Sequence, residues 1–201
     1  MKTLLASKKK FTAELIGTFS LALLLSLTLT SGVPEAAPFV AAITLTILVY
    51  TIGGISGSHV NPAVTVGLWS IKKISTADAI GYILSQIVGA YLAVMSASLL
   101  VGGMPNLYVE NALIVGVAEL VGAAFLIFGF SAVVLKKTSQ SASGITIGGS
   151  LLLGILIAST VGNGILNPAI ALSVGSISVA YIAGPLVGGI LSAQLYAWLA
   201  K

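Results

Sequence analysis

The tripeptide Asn-Pro-Ala occurs twice in this chain and supplies the side chains best suited to interact with a small molecule. Each copy follows an irregular run rich in Gly, and the six residues are Asn61, Pro62, Ala63, Asn167, Pro168 and Ala169. Asn is a favoured helix cap, and Pro is well tolerated at the first helical position. Each copy is therefore predicted to begin a short helix, with the Asn side chain beside the positive end of that helix.

Two such helix ends inside a membrane would favour neutral molecules over cations. The amide groups of Asn61 and Asn167 can donate hydrogen bonds to an oxygen atom at the centre of the membrane. A proton or cation would meet positive potential from both helix ends. The alternative is that both side chains are only helix caps, but capping alone does not explain why the same tripeptide recurs at corresponding places.

Two carboxylates and one imidazole accompany these tripeptides. Glu14 and Glu119 lie in apolar segments, where an ionisable group is by default a functional candidate. In a carrier they would bind a coupling ion or proton. In the structural alternative, which their symmetric placement favours, each accepts hydrogen bonds from the backbone of an irregular loop. His59, the only His in the sequence, is expected to form hydrogen bonds within the loop before Asn61.

The residue types exclude several other kinds of site. One His without any Cys cannot form a transition-metal site. The sequence has no nucleophile–base pair or phosphate-binding loop, so no enzyme activity, metal or cofactor is expected. The formal net charge is +4, but the basic residues sort by membrane side, and no nucleic-acid partner is expected.

The composition indicates which elements must position these side chains. The chain has 201 residues, of which 57% are hydrophobic and 7% charged, and its mean hydropathy is +1.12. A soluble domain carries roughly 25% charged residues, and one membrane span needs about 20 apolar residues. We therefore predict an all-α protein of the lipid bilayer. Six spans are predicted at 11–30, 37–52, 77–101, 111–135, 145–161 and 178–199, and two re-entrant half-helices at 62–71 and 168–174.

The lysines predict the orientation in the membrane. All nine basic residues are Lys, and they lie in the N-terminal tail, at 72–73, at 136–137 and at 201. The predicted spans place all of these on one side, whereas the turns on the other side carry Glu35 and Glu110. The positive-inside rule then predicts a multi-pass protein of the cell membrane with both termini in the cytoplasm.

The chain is also an internal duplicate. The segment AELIG at 13–17 recurs as AELVG at 118–122, and in each half Asn-Pro-Ala follows the Glu at nearly the same distance, 47 residues in the first half and 48 in the second. Because each half has three spans, the second half must be inverted relative to the first. We predict one transmembrane channel domain over 1–201, with repeats at about 11–101 and 111–200.

These motifs resemble the major intrinsic protein family, the aquaporins and glycerol facilitators. The resemblance covers nearly the whole chain and is carried by AELIGT at 13–18, SGSHVNPAVT at 56–65, Glu119 and NPA at 167–169. It implies an hourglass-shaped protomer, a homotetramer with one pore in each subunit, and a solute path between Asn61 and Asn167 for water and small uncharged solutes.

The sequence departs from that family at the outer constriction of the pore. Most members have Arg directly after the second Asn-Pro-Ala, whereas this chain has Ile170 there and contains no Arg. The resemblance places the other three constriction positions at Ala41, Ile155 and Gly164. The small residues would widen the ring, and the apolar lining would cost a solute its hydrogen bonds or dewet the pore.

We expect a passive channel for water and small uncharged solutes with a wide, apolar selectivity filter. A secondary transporter would also have inverted repeats and broken helices, but it should add charged residues at the midplane beyond Glu14 and Glu119. A structural membrane protein with a vestigial pore is the third possibility, because the filter is unusual.

Overall fold

The structure of the chain is a computed structural model that describes residues 2–103, 105–107 and 111–201. Within those ranges all of the regular secondary structure is helical. The eight α-helices are α1 (Lys2–Thr30), α2 (Ala37–Ser56), α3 (Pro62–Ser70), α4 (Thr76–Val101), α5 (Leu113–Val134), α6 (Ser143–Ala158), α7 (Pro168–Ser173) and α8 (Val179–Leu199). Two single turns of 3₁₀ helix, Pro34–Ala36 and Gln140–Ala142, precede α2 and α6.

Six of these helices are long and apolar enough to cross a membrane, namely α1, α2, α4, α5, α6 and α8. The other two, α3 and α7, have nine and six residues. They are far shorter than the roughly 20 residues that a span requires. The predicted all-α membrane fold with six spans and two half-helices is therefore confirmed. Glu110, one of the acids assigned to the turns without lysine, lies outside the described residues.

Three helix ends differ by three or more residues from those expected. α1 begins at Lys2 and not at the predicted residue 11, because the lysines of the tail are good helix formers and do not interrupt the helix. α2 does not break at Gly53 and Gly54 but continues to Ser56 and ends where Gly57 adopts a φ of 91°. Inside lipid each backbone group must find a partner, so a Gly pair alone does not end a helix. The helix stops where the backbone turns into the left-handed region, which Gly adopts without a steric cost. α6 ends at Ala158, three residues before the predicted position.

The two halves pack in the same way. In the first half α1 packs against α4 and α2, in the second half α5 packs against α8 and α6, and contacts between α2 and α6 join the halves. Gly89 of α4 allows its helix to approach the Leu15 carbonyl of α1, since an added Cβ would collide with that oxygen. Gly188 of α8 does the same against the Leu120 carbonyl of α5. Small residues at such contacts are typical of packed membrane helices.

The half-helices close the remaining gap in the ring of spans. α3, from the first half, packs chiefly on α8, and α7, from the second half, packs chiefly on α4. The close approach of α3 to α8 depends on Gly67, whose added Cβ would lie 2.8 Å from the Gly189 carbonyl oxygen. The exchange of half-helices brings the N-termini of α3 and α7 together at the centre of the molecule.

Candidate functional site

The two predicted Asn caps meet at the centre and bind each other's loops. Oδ1 of Asn61 accepts the Ala63 amide at 2.8 Å, and Oδ1 of Asn167 accepts the Ala169 amide at 3.0 Å. Nδ2 of Asn61 donates to the Leu166 carbonyl at 3.0 Å, and Nδ2 of Asn167 donates to the Val60 carbonyl at 3.0 Å. Because an amide nitrogen carries two N–H bonds, each Asn keeps one donor for another partner.

The residue before each Asn has an unusual backbone conformation. Val60 has a φ of 42° and Leu166 a φ of 55°. Such left-handed conformations of side chains other than Gly cost on the order of 1–3 kcal/mol and persist only where the surroundings impose them. Here the left-handed conformation directs each carbonyl towards the Asn of the other half. The strained backbone therefore allows the two hydrogen bonds that join the loops.

Buried carboxylates hold these strained residues in place. Oε2 of Glu14 accepts the Val60 amide at 2.7 Å, and Oε2 of Glu119 accepts the Leu166 amide at 2.6 Å. The other oxygens accept the amides of His59 at 2.9 Å and Ile165 at 2.8 Å. Each half therefore contains the same chain of contacts, from a carboxylate through a strained residue to the Asn of the other half.

Glu14 has two further partners in the first half. It accepts the Ser56 hydroxyl at 2.6 Å and the Gln86 side-chain amide at 2.8 Å. Both Glu14 and Glu119 are 0% exposed, and neither lines the central cavity described below. A fully buried carboxylate that does not line the central cavity is poorly placed to bind a coupling ion.

Glu119→Gln is expected to lower the stability of the folded protein. Gln offers one acceptor oxygen, so one of the amides of Ile165 and Leu166 would face an NH₂ group and lose its partner. A buried donor without a partner costs about 1–3 kcal/mol, which corresponds to a fall of several °C in the unfolding midpoint. Thermal unfolding in detergent measures this shift. Glu35→Gln, at an exposed carboxylate, should leave the midpoint unchanged, and equal midpoints for both variants would contradict the assigned role.

All four predicted constriction residues line one central cavity of about 240 Å³. They share it with both Asn residues and His59, and the set is Ala41, Ile155, Gly164, Ile170, Asn61, Asn167 and His59. The cavity is large enough for several water molecules. It runs from the turn at Pro34 to Asn61 and Asn167, and most of its remaining wall is Leu, Ile and Phe. Ala63 and Ala169 are fully buried behind it.

His59 forms part of the wall beside Asn61. Its Nδ1 lies 3.1 Å from the Thr65 hydroxyl, and its ring makes edge-to-face contacts with Tyr82 and Phe130 at centroid distances of 5.1 and 6.4 Å. These contacts fix the orientation of the ring. Within the part of the chain that the structure describes, no three His, Asp or Glu side chains come together as a metal site would require.

Three polar residues at the outer end of the cavity were not predicted from the sequence. They are Glu35, Ser159 and Asn163. Ser159 lies one helical turn after Ile155, so the spacing from the constriction position could have indicated it. Asn163 donates to the Ser176 hydroxyl at 3.2 Å. These side chains add hydrogen-bonding groups to a cavity wall that is otherwise mostly apolar.

Comparison with known proteins agrees with this geometry. Residues 1–196 match the family described as Major intrinsic protein. The chain is 34% identical to "Glycerol uptake facilitator protein-like 6" of Lactiplantibacillus plantarum, over 92% of this chain and 95% of that protein. It is 29% identical to "Probable aquaporin AqpM" of Archaeoglobus fulgidus, over 96% and 97%.

A solved structure supports the fold. The aquaglyceroporin from Plasmodium falciparum superposes with a TM-score of 0.72 at 21% identity, over 94% of this chain and 95% of that one. The resemblance noted in the sequence motifs is thereby confirmed. The chain belongs to the major intrinsic protein family, whose members are membrane channels for water and small solutes and not enzymes.

Proposed function

We propose that this chain is a passive channel through which water and small uncharged solutes cross the membrane, with an apolar outer constriction that lacks arginine. One observation carries the proposal: the N-termini of α3 and α7 meet at a cavity that both Asn61 and Asn167 line. A neutral solute can replace part of its hydration there by accepting hydrogen bonds from the two amides.

The same arrangement opposes the passage of ions. Each short helix contributes a partial positive charge at its N-terminus, and both termini face the cavity. A cation or proton at the midplane meets two like-signed potentials and loses water in a narrow space. The barrier is electrostatic, so it depends on Asn61 and Asn167 being uncharged.

The outer constriction is proposed to select by width. Ala41 and Gly164 leave space that larger side chains would fill, and the nonpolar walls are Ile155 and Ile170. An apolar ring costs a polar solute several kcal/mol for a group left without a partner. The loop backbone around Gly164 and Ile165, which also lines the cavity, offsets part of that cost. The four side chains line one cavity together with Asn61 and Asn167, which supports width as the larger effect.

The carrier alternative finds less support. A secondary transporter needs charged groups that reach both the solute and the coupling ion. Instead, the carboxylate oxygens of Glu14 and Glu119 accept hydrogen bonds from loop amides, and neither residue lines the cavity. The remaining alternative is a structural protein with a vestigial pore. Only a measurement of solute flux distinguishes it from a channel.

The proposal also covers the orientation of the protein in the membrane, its oligomeric state and its two sequence repeats. We infer that the lysine-bearing ends of α1, α3, α5 and α8 face the cytoplasm. The protein is proposed to act as a homotetramer in the cell membrane, with one pore in each protomer. The repeats are proposed to span about 11–101 and 111–200 of a single channel domain, consistent with the matching contacts of α1 and α5.

Flux through the purified protein tests the function. Proteoliposomes and protein-free liposomes of the same lipid are compared for water, glycerol and urea permeability by light scattering. We expect permeability to water and to at least one of the two solutes above the liposome background, without dependence on an ion gradient. Background permeability for all three would overturn the channel proposal, and uptake that saturates and requires an ion gradient would favour a carrier.

Ile170→Arg is expected to lower the ratio of glycerol to water permeability about tenfold, a barrier difference of about 1.4 kcal/mol. The guanidinium would fill the space beside Ala41 and Gly164 and exclude glycerol. Its N–H groups could still donate hydrogen bonds to water. Ile170→Met, a long uncharged side chain, is the control and should keep the ratio of the unmodified protein. An unchanged ratio in the Arg variant would place residue 170 outside the selectivity filter.

A further inference from the structure

A groove lies on the outer surface of the protein, where α5 runs between α6 and α8. We call it the α5–α8 groove, and its volume is about 590 Å³. It shares no lining residue with the central cavity. Its main walls are Phe125, Phe128, Ala132, Leu191, Leu195 and Tyr196. These helices are membrane spans, so the groove opens towards lipid or towards another membrane protein.

The groove is a fixed feature of the helix packing. α5 approaches α6 closely at Gly129, where an added Cβ would collide with the Ser150 hydroxyl. α8 is tied to α5 by the Ser192 hydroxyl, which donates to the Ala124 carbonyl at 2.6 Å. The lining combines small residues of α5 with aromatic rings of α5 and α8. A long, thin apolar group fits such a shape.

The groove continues to the end of the membrane span. A second depression is lined by Phe128, Lys137, Tyr196, Leu199 and Ala200. Phe128 and Tyr196 line both depressions and contact each other edge-to-face, with ring centroids 4.6 Å apart. The α5–α8 groove therefore ends at Lys137.

Among the residues that the structure describes, no carboxylate neutralises Lys137 in this depression. None of the Asp and Glu residues that the structure describes lines either part of the groove. Over residues 2–103, 105–107 and 111–201 the ion pair found is between Lys10 and Asp78, at 3.1 Å. Lys137 is exposed, and Lys136 beside it is exposed too. The open end of the groove is positively charged.

We propose that the α5–α8 groove binds an anionic phospholipid, with one acyl chain along the groove and the phosphate at Lys137. A phospholipid has the required layout, since its apolar chain and its negative headgroup join at the membrane surface. Basic pockets between membrane helices are typical sites for anionic headgroups. The described lining holds Lys137 and no Asp or Glu, so a phosphate would be complementary to this end of the groove in charge. The charge therefore favours lipid as the occupant.

The chain contains a matched control for Lys137. Lys72 and Lys73 follow α3 as Lys136 and Lys137 follow α5, with φ values of 59° for Lys72 and 58° for Lys136. The second Lys of each pair donates its amide back to the helix at 2.9 Å, Lys73 to Leu68 and Lys137 to Ala132. The depression beside Lys73 is built from its own short stretch of chain, 69–76, and has no helix groove.

The test is lipid binding by native mass spectrometry of detergent-purified protein. Dioleoylphosphatidylglycerol and dioleoylphosphatidylcholine are titrated separately into the unmodified protein and into Lys137→Gln, Lys73→Gln and Ala132→Phe. We expect tighter binding of phosphatidylglycerol than of phosphatidylcholine by the unmodified protein. Lys137→Gln should weaken phosphatidylglycerol binding about fivefold, as expected for one Lys at a lipid surface. Lys73→Gln should leave it unchanged, and Ala132→Phe should weaken it by filling the groove.

Three outcomes would overturn the proposal. Equal binding of the two lipids would remove the role of charge. Equal losses in Lys137→Gln and Lys73→Gln would indicate general attraction to a basic surface. Lipid bound to single protomers but absent from assembled ones would identify the groove as an interface between copies. The readout is binding, so it does not depend on whether the pore conducts.

Discussion

Ala41→Trp is expected to lower water and glycerol permeability to the level of protein-free liposomes. Ala41 lies on α2, is only 2% exposed, and lines the central cavity opposite the loop that carries Gly164. An indole in a cavity of about 240 Å³ would occupy much of the space beside Ile170. Because α2 packs against both α1 and α6, the helix has little freedom to move away.

The same assay on Ile43→Trp is the control. Ile43 lies two residues further along α2, on the outer face, and is 60% exposed. A Trp at this position would lie on the outer surface and should leave the permeability as in the unmodified protein. The comparison requires equal amounts of both variants in the proteoliposomes. Unchanged flux in Ala41→Trp would mean that the cavity is not the solute path. Equal losses in both variants would point to damage to the fold.

Asn167→Asp is expected to create a measurable cation conductance in a protein that we propose excludes ions. A carboxylate at the N-terminus of α7 would cancel the partial charge of roughly +0.5 that the helix end contributes. It would also set a negative group 3.0 Å from the Val60 carbonyl, where the Asn side chain now donates a hydrogen bond. Current recordings in planar bilayers with KCl measure the change.

The variant Asn167→Ser distinguishes the effect of the added charge from the effect of the lost hydrogen bond. Ser keeps an oxygen that can cap the helix, loses the donor to Val60 and adds no charge, so it should not conduct cations. Asn61→Asp should behave like Asn167→Asp, because Asn61 makes the matching contact with the Leu166 carbonyl at 3.0 Å. If the Asp variants conduct no more than the unmodified protein, the central barrier is not electrostatic. If the Ser variant leaks equally, loop geometry and not charge forms the barrier.

The sequence alone predicted the membrane fold and the positions of the half-helices. The six spans followed from hydropathy, and the starts of α3 and α7 at Pro62 and Pro168 followed from the Asn-Pro pairs. Both signals are local, since a cap and a proline act within one turn of the helix. The nearly equal spacing of Glu and Asn-Pro-Ala in the two halves, 47 and 48 residues, also indicated a repeat, and the odd number of spans in each half predicted its inversion.

The tertiary structure decided what the local patterns could not. It ended α2 at Gly57, not at the Gly pair before it. It placed Glu14 and Glu119 against loop amides and outside the cavity, which separates a structural acid from an ion-binding one.

The reason is the distance along the chain between the partners. Asn61 donates to a carbonyl 105 residues away, and Asn167 to one 107 residues away. The α5–α8 groove likewise forms from helices that approach each other through Gly129 and Ser192. Composition and spacing determined that two amides and two carboxylates are present, and the packing of the two halves decided which of them line the central cavity.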